Sequence, residues 1–381
     1  MKKIIPYGKH KVLDEDIEAV VAVLRSDFLT QGPLAEEFEK KMCDFLGCKY
    51  AVAVSNGTAA LHLSAMALGV SKGDKILVVT NSFVSSANCV KFCGGDVDFV
   101  DIDPDTFCIS LEHLEKKINN SPKSTYKGII AVDFAGLPGN FEEISSLAKR
   151  HGLWVIEDAC HALGASFEDS SGSVHMSGDG HFSDVSVFSF HAVKHVATGE
   201  GGMITTNNKE IYNQLKLLRT HGITKDPALL QKNDGDWYYE MQGLGYNYRI
   251  PDILCALGVS QLSRIEQNLS RRREIASAYE SELGYLGITP RVSEKNQHAY
   301  HLYIITTDRR DDLYNFLNSK NIKAQIHYIP IHTQPYYRNE SGKVSLENAE
   351  DYYKKTLSLP IYHSMSDEDL SYVISSIKSF Y

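Results

Sequence analysis

The sequence predicts an α/β protein in which a large, mostly parallel sheet is followed by a smaller α/β unit. Over the first 250 residues, short apolar runs of strand length alternate with longer amphipathic stretches, a pattern typical of strands joined by crossover helices. After about residue 250, a long helical stretch leads into short strands and a last helix. We therefore expect one domain over residues 1–250, including the N-terminal segment, and a second over residues 251–381.

The elements of the first domain can be placed from their hydrophobic spacing. Apolar residues recur at helical intervals in two segments that precede the first strand, and apolar runs then alternate with helical segments. The predicted helices are Asp14–Leu24, Leu34–Leu46, Ala59–Leu68, Ser82–Phe92, Ser110–Ile118 and Phe141–His151. The predicted strands are Tyr50–Ser55, Ile76–Thr80, Val97–Val100, Gly128–Val132, Trp154–Glu157, Val185–Phe190 and Gly202–Thr206.

The C-terminal part has a different texture. One long helical stretch is expected over Ile253–Arg273. Strands are expected over His301–Ile305 and Ala324–His327, and a final helix over Asp367–Ser379.

Composition limits the classes of function. The 43% hydrophobic and 23% charged residues are those of a soluble protein, and the net charge of −9 disfavours nucleic acid or an anionic membrane as the main partner. No apolar run reaches membrane-spanning length, and the N-terminus lacks the apolar region of a signal peptide. Seven cysteines without a C-x-x-C pair are typical of reduced thiols. We expect a cytoplasmic protein.

Functional groups of open parallel sheets gather at the carboxyl ends of the strands. In this sequence the segments that follow the predicted strands contain Gly57-Thr58, Phe83, Asp133, Asp158 and Lys194. We therefore expect the functional site among these residues.

Three of these features together indicate a pyridoxal phosphate site. A desolvated Lys194 would be a nucleophile able to form a Schiff base, Asp158 could face a heterocyclic nitrogen, and the turn at Gly57-Thr58 could receive a phosphate. Each has a structural alternative: a buried lysine with a structural partner, a helix N-cap and a plain turn. The combination favours the functional interpretation.

Two metal-like patterns are weaker. Residues 101–106, DIDPDT, with Glu112 imitate a calcium loop, but Thr106 stands where that loop needs glycine. His298 and His301, with two later histidines, suggest zinc only loosely, since no cysteine ligand or H-E-x-x-H motif accompanies them. We expect no metal.

Longer motifs show a family resemblance over nearly the whole chain. The segments SDFLTQGP, NGTAALHL, EDACHALGA, SFHAVKHVATGEGG and GYNYRIPD resemble the DegT-type nucleotide-sugar aminotransferases. This resemblance implies the type I fold of aspartate aminotransferase, with pyridoxal 5′-phosphate as cofactor.

The resemblance also implies roles for individual residues. Lys194 would bind the cofactor covalently, Asp158 would face its ring nitrogen, Phe83 would stack on the ring and His161 would lie near its 3-hydroxyl group. The phosphate would be held by Gly57, Thr58, Ala59 and Ser189, and by Asn247 from a second subunit, which implies a homodimer. Core packing remains an alternative for Phe83 and His161, and His191 and His195 are expected behind the site.

Within the family, the N-terminal segment and residues 325–338, QIHYIPIHTQPYYR, look most like the transaminases of pseudaminic acid biosynthesis. Such an enzyme would move the amino group of L-glutamate to C4 of a UDP-linked 4-keto-6-deoxy-N-acetyl sugar, forming UDP-4-amino-4,6-dideoxy-N-acetyl-beta-L-altrosamine. The sugar site would include Tyr7, His327 and Tyr328. Arg249 and Arg338 could meet nucleotide phosphates or serve as ion-pair partners.

Three alternatives remain open. The substrate could be another nucleotide-linked keto sugar. A sugar dehydratase of this fold would carry histidine in place of Lys194, so the lysine found here disfavours a dehydratase. A regulatory homologue that binds the cofactor without turnover would be expected to have an added DNA-binding segment, and the sequence shows none.

Overall fold

A mixed sheet forms the centre of the computed structural model, which describes residues 3–286, 295–342 and 344–381. In chain order the strands are β1 Tyr50–Val54, β2 Lys75–Val79, β3 Asp96–Val100, β4 Tyr126–Val132, β5 Trp154–Asp158, β6 Ser166–Glu168, β7 Val174–Met176, β8 Val185–Ser189, β9 Gly202–Thr206, β10 Ile223–Thr224, β11 Glu240–Met241, β12 Asn296–Gln297, β13 Tyr303–Thr306 and β14 Thr356–Leu359.

The helices lie between and after these strands. In chain order they are α1 Asp14–Leu24, α2 Pro33–Leu46, α3 Gly57–Ala67, α4 Ser85–Phe92, α5 Leu111–Asn119, α6 Phe141–His151, α7 Lys209–Arg219, α8 Asp252–Leu262, α9 Ile265–Leu283, α10 Arg310–Ser319, α11 Pro335–Ser341, α12 Glu347–Lys355 and α13 Asp367–Lys378.

The central sheet has seven strands in the order β1-β9-β8-β5-β4-β2-β3. The pairs β2–β3, β2–β4, β4–β5 and β5–β8 are parallel, whereas β9 runs antiparallel to both β1 and β8. The predicted α/β fold with a mostly parallel sheet is therefore confirmed.

The sheet is covered on both faces. Five consecutive residues are buried at the end of β4, and β8 has four in a row. Since successive side chains of a strand point to opposite faces, such runs require apolar cover on both sides. This explains why the strands read as continuous apolar runs in the sequence.

Two C-terminal predictions are wrong. The long helix over Ile253–Arg273 is divided into α8 and α9 by Arg264, whose φ of −119° and ψ of 20° leave the helical region. Arg264 instead forms a buried ion pair with Asp16 of α1, and this distant contact stabilises the break. The expected strand Ala324–His327 makes only an isolated bridge, between Gln325 and Ser358.

Other differences are smaller. Helix α4 begins at Ser85 rather than Ser82, because residues 82–84 form the turn that leads into it. Several elements have no counterpart in the sequence analysis, namely α7, α10, α11, α12, β6, β7, β10, β11, β12 and β14. Each of these strands has only two to four residues, which is too short for a periodic signal.

The C-terminal elements have their own hydrophobic cluster, built from α9, α10, α13, β13 and β14. Ile5 belongs to this cluster, and its backbone pairs with that of Ile322. The N-terminal segment thus packs on the C-terminal part, while the division of the chain near residue 250 stays a prediction. In the described ranges, no helix has the length and apolar content needed to cross a membrane.

A buried pair of acids lies at the ends of the central strands. Asp133 follows β4 and accepts a hydrogen bond from the Gly139 N–H at 2.7 Å, but its Oδ2 atom has no donor in the part of the chain described. Glu157 of β5 accepts hydrogen bonds from Gly178 N–H and the Ser186 hydroxyl. Burial raises the pKa of Asp133 to about 6 and raises that of Glu157 as well, and the Asp133 charge adds to the shift of Glu157.

We predict that Asp133→Asn stabilises the protein at pH 7 but not at pH 4. An acid whose pKa is raised in the folded state binds its proton more tightly there, so stability falls as pH rises from about 4 through 6. Because asparagine cannot ionise, the variant should gain up to about 3 kcal/mol relative to wild type over this range. Urea unfolding at both pH values measures the difference.

The control for this prediction is Asp105→Asn, which alters an exposed carboxylate in a turn. Its effect on stability should be small and nearly independent of pH. If Asp133→Asn lost the same stability at both pH values, the carboxyl group would be a simple hydrogen-bond acceptor rather than a destabilised anion.

Candidate active site

A cavity of about 800 Å³ lies where the parallel strands have their carboxyl ends. Its walls are residues that follow β1, β2, β5 and β8, together with side chains from the N-terminal segment and the C-terminal loops. Most of the residues predicted for the site line it: Tyr7, Gly57, Thr58, Ala59, Phe83, Asp158, His161, Ser189, Lys194, His327 and Tyr328.

Lys194 lies in the loop after β8, and its side chain enters the cavity wall. Burial lowers the pKa of its ammonium group; Cys160 and Asp158 oppose this shift, and the Arg272 charge adds to it. A lysine with a lowered pKa has a larger fraction of neutral amine near neutral pH, and the neutral amine is the form that attacks a carbonyl carbon. The site can therefore provide a nucleophilic amine.

Three histidines cluster beside this lysine. His301 Nε2 is 3.4 Å from Lys194 Nζ, and the His301 ring centre is 4.5 Å from that of His161 and 5.7 Å from that of His195. Burial lowers the pKa of all three imidazoles. His195 donates its Nε2 proton to the Ala299 carbonyl. The lysine is thus enclosed by uncharged imidazole rings, and these favour the neutral amine over the ammonium ion.

Asp158 is the last residue of β5 and is buried. The Ser86 hydroxyl donates to its Oδ2 atom at 2.7 Å, Ser82 and Ser86 share a hydrogen bond of 2.7 Å, and Cys160 N–H donates to Oδ1 at 3.3 Å. The residues after Asp158 form turns rather than an α-helix, so the N-cap interpretation is wrong. These donors fix the orientation of a carboxylate that can pair with a cationic ring nitrogen.

The first turn of α3 faces the same cavity. Asn56 caps the helix by accepting a hydrogen bond from Ala59 N–H at 2.8 Å. The N–H groups of Gly57 and Thr58 belong to the first turn, where a helix has no acceptor of its own to offer. A Cβ atom on Gly57 would lie 3.0 Å from Cβ of Ser189, so the serine side chain approaches the helix end closely. This end can receive a phosphate.

Aromatic side chains cover the remaining wall. Phe83 is 56% exposed and therefore has a free face. His161 Nδ1 lies 3.3 Å from the Ala135 N–H, which makes it the acceptor, so the proton of the neutral ring is on Nε2. Nε2 then donates to the Tyr328 hydroxyl oxygen at 3.1 Å, and the hydroxyl proton of Tyr328 is left for another partner.

The N-terminal segment reaches the cavity through Tyr7. Its ring centre is 5.2 Å from that of His327, and His327 Nδ1 lies 2.9 Å from the Ser358 hydroxyl. Burial lowers the pKa of His327 to about 3 and raises that of Tyr7. Both side chains are thus neutral near pH 7, and they form a wall that is polar but carries no net charge.

Some predicted residues are not brought into the cavity of their own chain. Asn247 is exposed, and its backbone bridges to Thr220. Neither Arg249 nor Arg338 lines the cavity. Among the residues that the structure describes, no carboxylate is in ion-pair distance of Arg249.

The metal-like patterns have structural partners. Asp103 accepts hydrogen bonds from Thr106 within its own turn, and Asp101 accepts one from the Ala349 N–H. His298 accepts a hydrogen bond from the Tyr300 N–H at 2.7 Å. Within the described ranges, no group of three or more histidine, cysteine or acidic side chains is arranged to hold a metal ion.

Sequence reasoning missed some members of the site. Ser86 has a weak signal, since it stands four residues after Ser82 at the start of a helix and the two can meet. Tyr248, beside Asn247 in the GYNYR motif, lines the cavity, whereas Asn247 does not. No pattern in the sequence indicates that His301 contacts Lys194.

Comparisons with known proteins agree over nearly the full chain. The model of the DegT/DnrJ/EryC1/StrS aminotransferase family matches residues 11–378. The spore coat polysaccharide biosynthesis protein SpsC of Bacillus subtilis is 36% identical, over 98% of this chain and 96% of its own. The UDP-4-amino-4,6-dideoxy-N-acetyl-beta-L-altrosamine transaminase of Campylobacter jejuni is 35% identical, over 99% of this chain and 97% of its own.

Solved structures show the same fold. Helicobacter pylori PseC, an aminotransferase involved in the biosynthesis of pseudoaminic acid, is 30% identical with a TM-score of 0.87, over 99% of each chain. Spr1654 of Streptococcus pneumoniae, solved in its PLP form, is 27% identical with a TM-score of 0.89, over 99% of this chain and 98% of that one. Spr1654 is also known in a PMP form.

The cofactor of this family is pyridoxal 5′-phosphate, and the cavity fits it chemically. A helix N-terminus with a nearby hydroxyl suits the phosphate, the buried carboxylate of Asp158 suits the ring nitrogen, and the amine of Lys194 suits the aldehyde. The three groups line one cavity.

We predict that Gly57→Ala weakens the binding of pyridoxal phosphate about tenfold, or about 1.4 kcal/mol. The added methyl group would press on Ser189 at 3.0 Å and disturb the phosphate end of the cavity. Binding of pyridoxal, which lacks the phosphate, should change much less. Fluorescence titration of the apoprotein with both compounds measures the two affinities.

Gly284→Ala is the matched control, because the nearest atom to its added methyl group is the flexible Glu280 carboxylate at 3.6 Å. It should bind both compounds as wild type does. Equal losses for pyridoxal and its phosphate in Gly57→Ala would contradict a phosphate site at this helix.

Proposed function

Because the chain belongs to the DegT/DnrJ/EryC1/StrS aminotransferase family, whose members depend on pyridoxal phosphate, we propose that it aminates a nucleotide-linked keto sugar. The proposed reaction moves the amino group of L-glutamate to C4 of a UDP-linked 4-keto-6-deoxy-N-acetyl sugar. The product would be UDP-4-amino-4,6-dideoxy-N-acetyl-beta-L-altrosamine, which the Campylobacter jejuni relative is named for. The observation that carries the proposal is that Lys194, Asp158 and the first turn of α3 line one cavity.

Lys194 would act twice. It would hold the cofactor covalently and, once displaced by the amino donor, would take the proton from the donor's Cα atom as a neutral amine. When bound, pyridoxal phosphate supplies an electron sink for the charge that this proton leaves behind. On the second substrate Lys194 would return a proton to C4 of the sugar. Burial supports this role because it lowers the pKa of the amine.

Asp158 would face the ring nitrogen and favour its protonated form. The proposal is supported by its burial and by the Ser86 hydroxyl, which holds the carboxylate in one orientation. A fixed anion costs no reorganisation when positive charge is placed against it.

The phosphate would be held by Gly57, Thr58, Ala59 and Ser189, and by Asn247 of the partner subunit. Exposure of Asn247 in the single chain supports a role towards a second copy, and thus a homodimer. Arg249 would meet the nucleotide phosphates, since no carboxylate of the described residues neutralises it.

The sugar would lie against Tyr7, His327 and Tyr328. These side chains present hydroxyl and imidazole groups without net charge, which suits the hydroxyl and acetamido groups of a sugar. Phe83 would stack on the cofactor ring, and His161 would lie near its 3-hydroxyl group.

Another nucleotide-linked keto sugar is the second candidate, because SpsC is as similar to the chain as the altrosamine transaminase is. A dehydratase is disfavoured by Lys194, and a non-catalytic regulator remains the alternative of another class. We also propose a cytoplasmic location, where nucleotide sugars are made.

We predict that the purified protein has a visible absorption band that glutamate bleaches and that the UDP-linked keto sugar restores. Bleaching reports transfer of the amino group to the cofactor, and recovery reports its transfer to the sugar. Lys194→Ala should have no such lysine-dependent band and no turnover, since it lacks the only amine that lines the cavity among the described residues.

Each outcome separates one part of the proposal. A band that bleaches but does not return with this sugar would contradict the substrate and keep the aminotransferase. Turnover by Lys194→Ala would contradict the role of the lysine. Cofactor binding without bleaching by any amino donor would favour the regulatory alternative.

We predict that two inactive variants restore each other if Asn247 acts across the subunit interface. Lys194→Ala and Asn247→Asp, unfolded and refolded together, would form heterodimers that contain one intact site. Random pairing should give about a quarter of the wild-type activity. Activity no greater than the sum of the separate variants would contradict a site shared between subunits.

A further inference from the structure

Among the described residues, the side chain of His301 lies within hydrogen-bond distance of the amine of Lys194. Its Nε2 atom lies 3.4 Å from Nζ, and its ring lines the cavity. Its other nitrogen, Nδ1, is buried and has no hydrogen-bond partner among the described residues. An unpaired buried donor or acceptor costs about 1–3 kcal/mol of folding free energy, so the surrounding structure must hold the ring in this position.

The direction of the contact follows from the chemistry of the two groups. The ammonium form of Lys194 can only donate, so against it Nε2 of a neutral His301 is the acceptor and Nδ1 carries the proton. Burial lowers the pKa of His301, and the charges of Lys194 and Arg272 lower it further. The neighbouring His161 and His195 rings are neutral for the same first reason. His301 therefore stays an acceptor.

The backbone around His301 is fixed by Arg272. This arginine is 1% exposed, and no carboxylate of the described residues pairs with it. Its Nη1 atom donates to the carbonyl oxygens of Tyr300 and Ile361, both at 3.0 Å, and approaches that of His301 at 3.4 Å. Burial of the guanidinium costs desolvation free energy, because only carbonyl groups accept its hydrogen bonds. These hydrogen bonds make the loop rigid.

The opposite side of the loop is held equally closely. Leu302 N–H donates to the Ala135 carbonyl at 3.1 Å. Gly136 has a φ of 103°, and a Cβ atom there would lie 2.9 Å from Tyr300 N and 3.1 Å from His301 N. No side chain fits between the two segments, so His301 has little freedom to move away from Lys194.

We propose that His301 is a positioning residue for Lys194, whose ε-amine it holds in one orientation by accepting a hydrogen bond at Nε2. The proposal rests on the role of Lys194 given above. On capture of the cofactor, Nζ of Lys194 would form a C=N bond to the aldehyde carbon. The neutral amine would give up its two hydrogens, which would leave with the aldehyde oxygen as water, and no other reactant is needed. An oriented amine makes this addition faster without tightening the prior binding of the phosphate.

The test is the capture of pyridoxal phosphate by apoprotein, followed by stopped-flow absorbance at increasing cofactor concentration. The limiting rate reports capture by Lys194, and the half-saturation concentration reports the binding that precedes it. His301→Leu should lower the limiting rate about tenfold and leave the half-saturation concentration within about twofold. His301→Gln, whose side-chain oxygen can reach the place of Nε2, should recover most of the rate.

Two further variants separate orientation from folding. His301→Asn keeps a polar side chain that is too short to reach Nζ, and it should capture the cofactor as slowly as His301→Leu. Where the leucine variant does not fold, the comparison of the asparagine and glutamine variants tests the proposal instead. His298→Gln alters a buried histidine of the same loop that does not line the cavity, and should capture the cofactor at the wild-type rate.

A wild-type rate in His301→Leu or His301→Asn would overturn the proposal, as would a His301→Gln variant as slow as the leucine variant. Failure of the wild-type apoprotein to form the visible band would overturn the role of Lys194 and this inference together. Capture needs neither glutamate nor a sugar, so a wrong substrate in the proposed function would leave these rates unchanged.

Discussion

The parallel register of the central strands is the constraint on which the cavity depends. Asp158 lies opposite Val132, the last residue of β4, and opposite Val187, two residues before the end of β8, so the three strands end close together at one edge. Neighbouring strands are about 4.8 Å apart, which brings the following loops within reach of one small ligand. A slip of one residue in β5 would turn the carboxylate of Asp158 to the other face of the sheet.

This edge carries several buried polar groups, and the fold offsets the cost of burying them to different degrees. Asp158 is stabilised by serine hydroxyl groups, whereas Arg272 is stabilised by carbonyl oxygens. Asp133 and Glu157 are less well compensated, since burial raises the pKa of both. Asp133 and Glu157 do not line the cavity, so their raised pKa values reflect the cost of burial at the strand ends.

The sequence predicted those features of the structure that depend on local patterns. Apolar runs located the strands of the central sheet, and the motif around Lys194 indicated the segment that lines the cavity. It could not predict what depends on distant partners: Arg264 ends a helix because Asp16 of α1 pairs with it, and His301 contacts Lys194 because a buried arginine fixes its loop. No periodicity within a segment reports such contacts, since the partner lies more than a hundred residues away or beyond a turn.

The charge distribution of the cavity bears on how it would receive an anionic substrate. In the part of the chain that the structure describes, Lys194 is the one lysine or arginine on the wall, and Glu200 and Asp158 add negative charge to it. A nucleotide diphosphate and a dicarboxylic amino donor both require cations or helix N-termini, and the end of α3 is taken by the cofactor phosphate in our proposal. Arg249 and the exposed Asn247 lie two residues apart in the chain, and neither lines the cavity of its own chain. The electrostatics of a single chain therefore leave substrate anions incompletely matched, and a second copy that brings this segment to the cavity would complete the match.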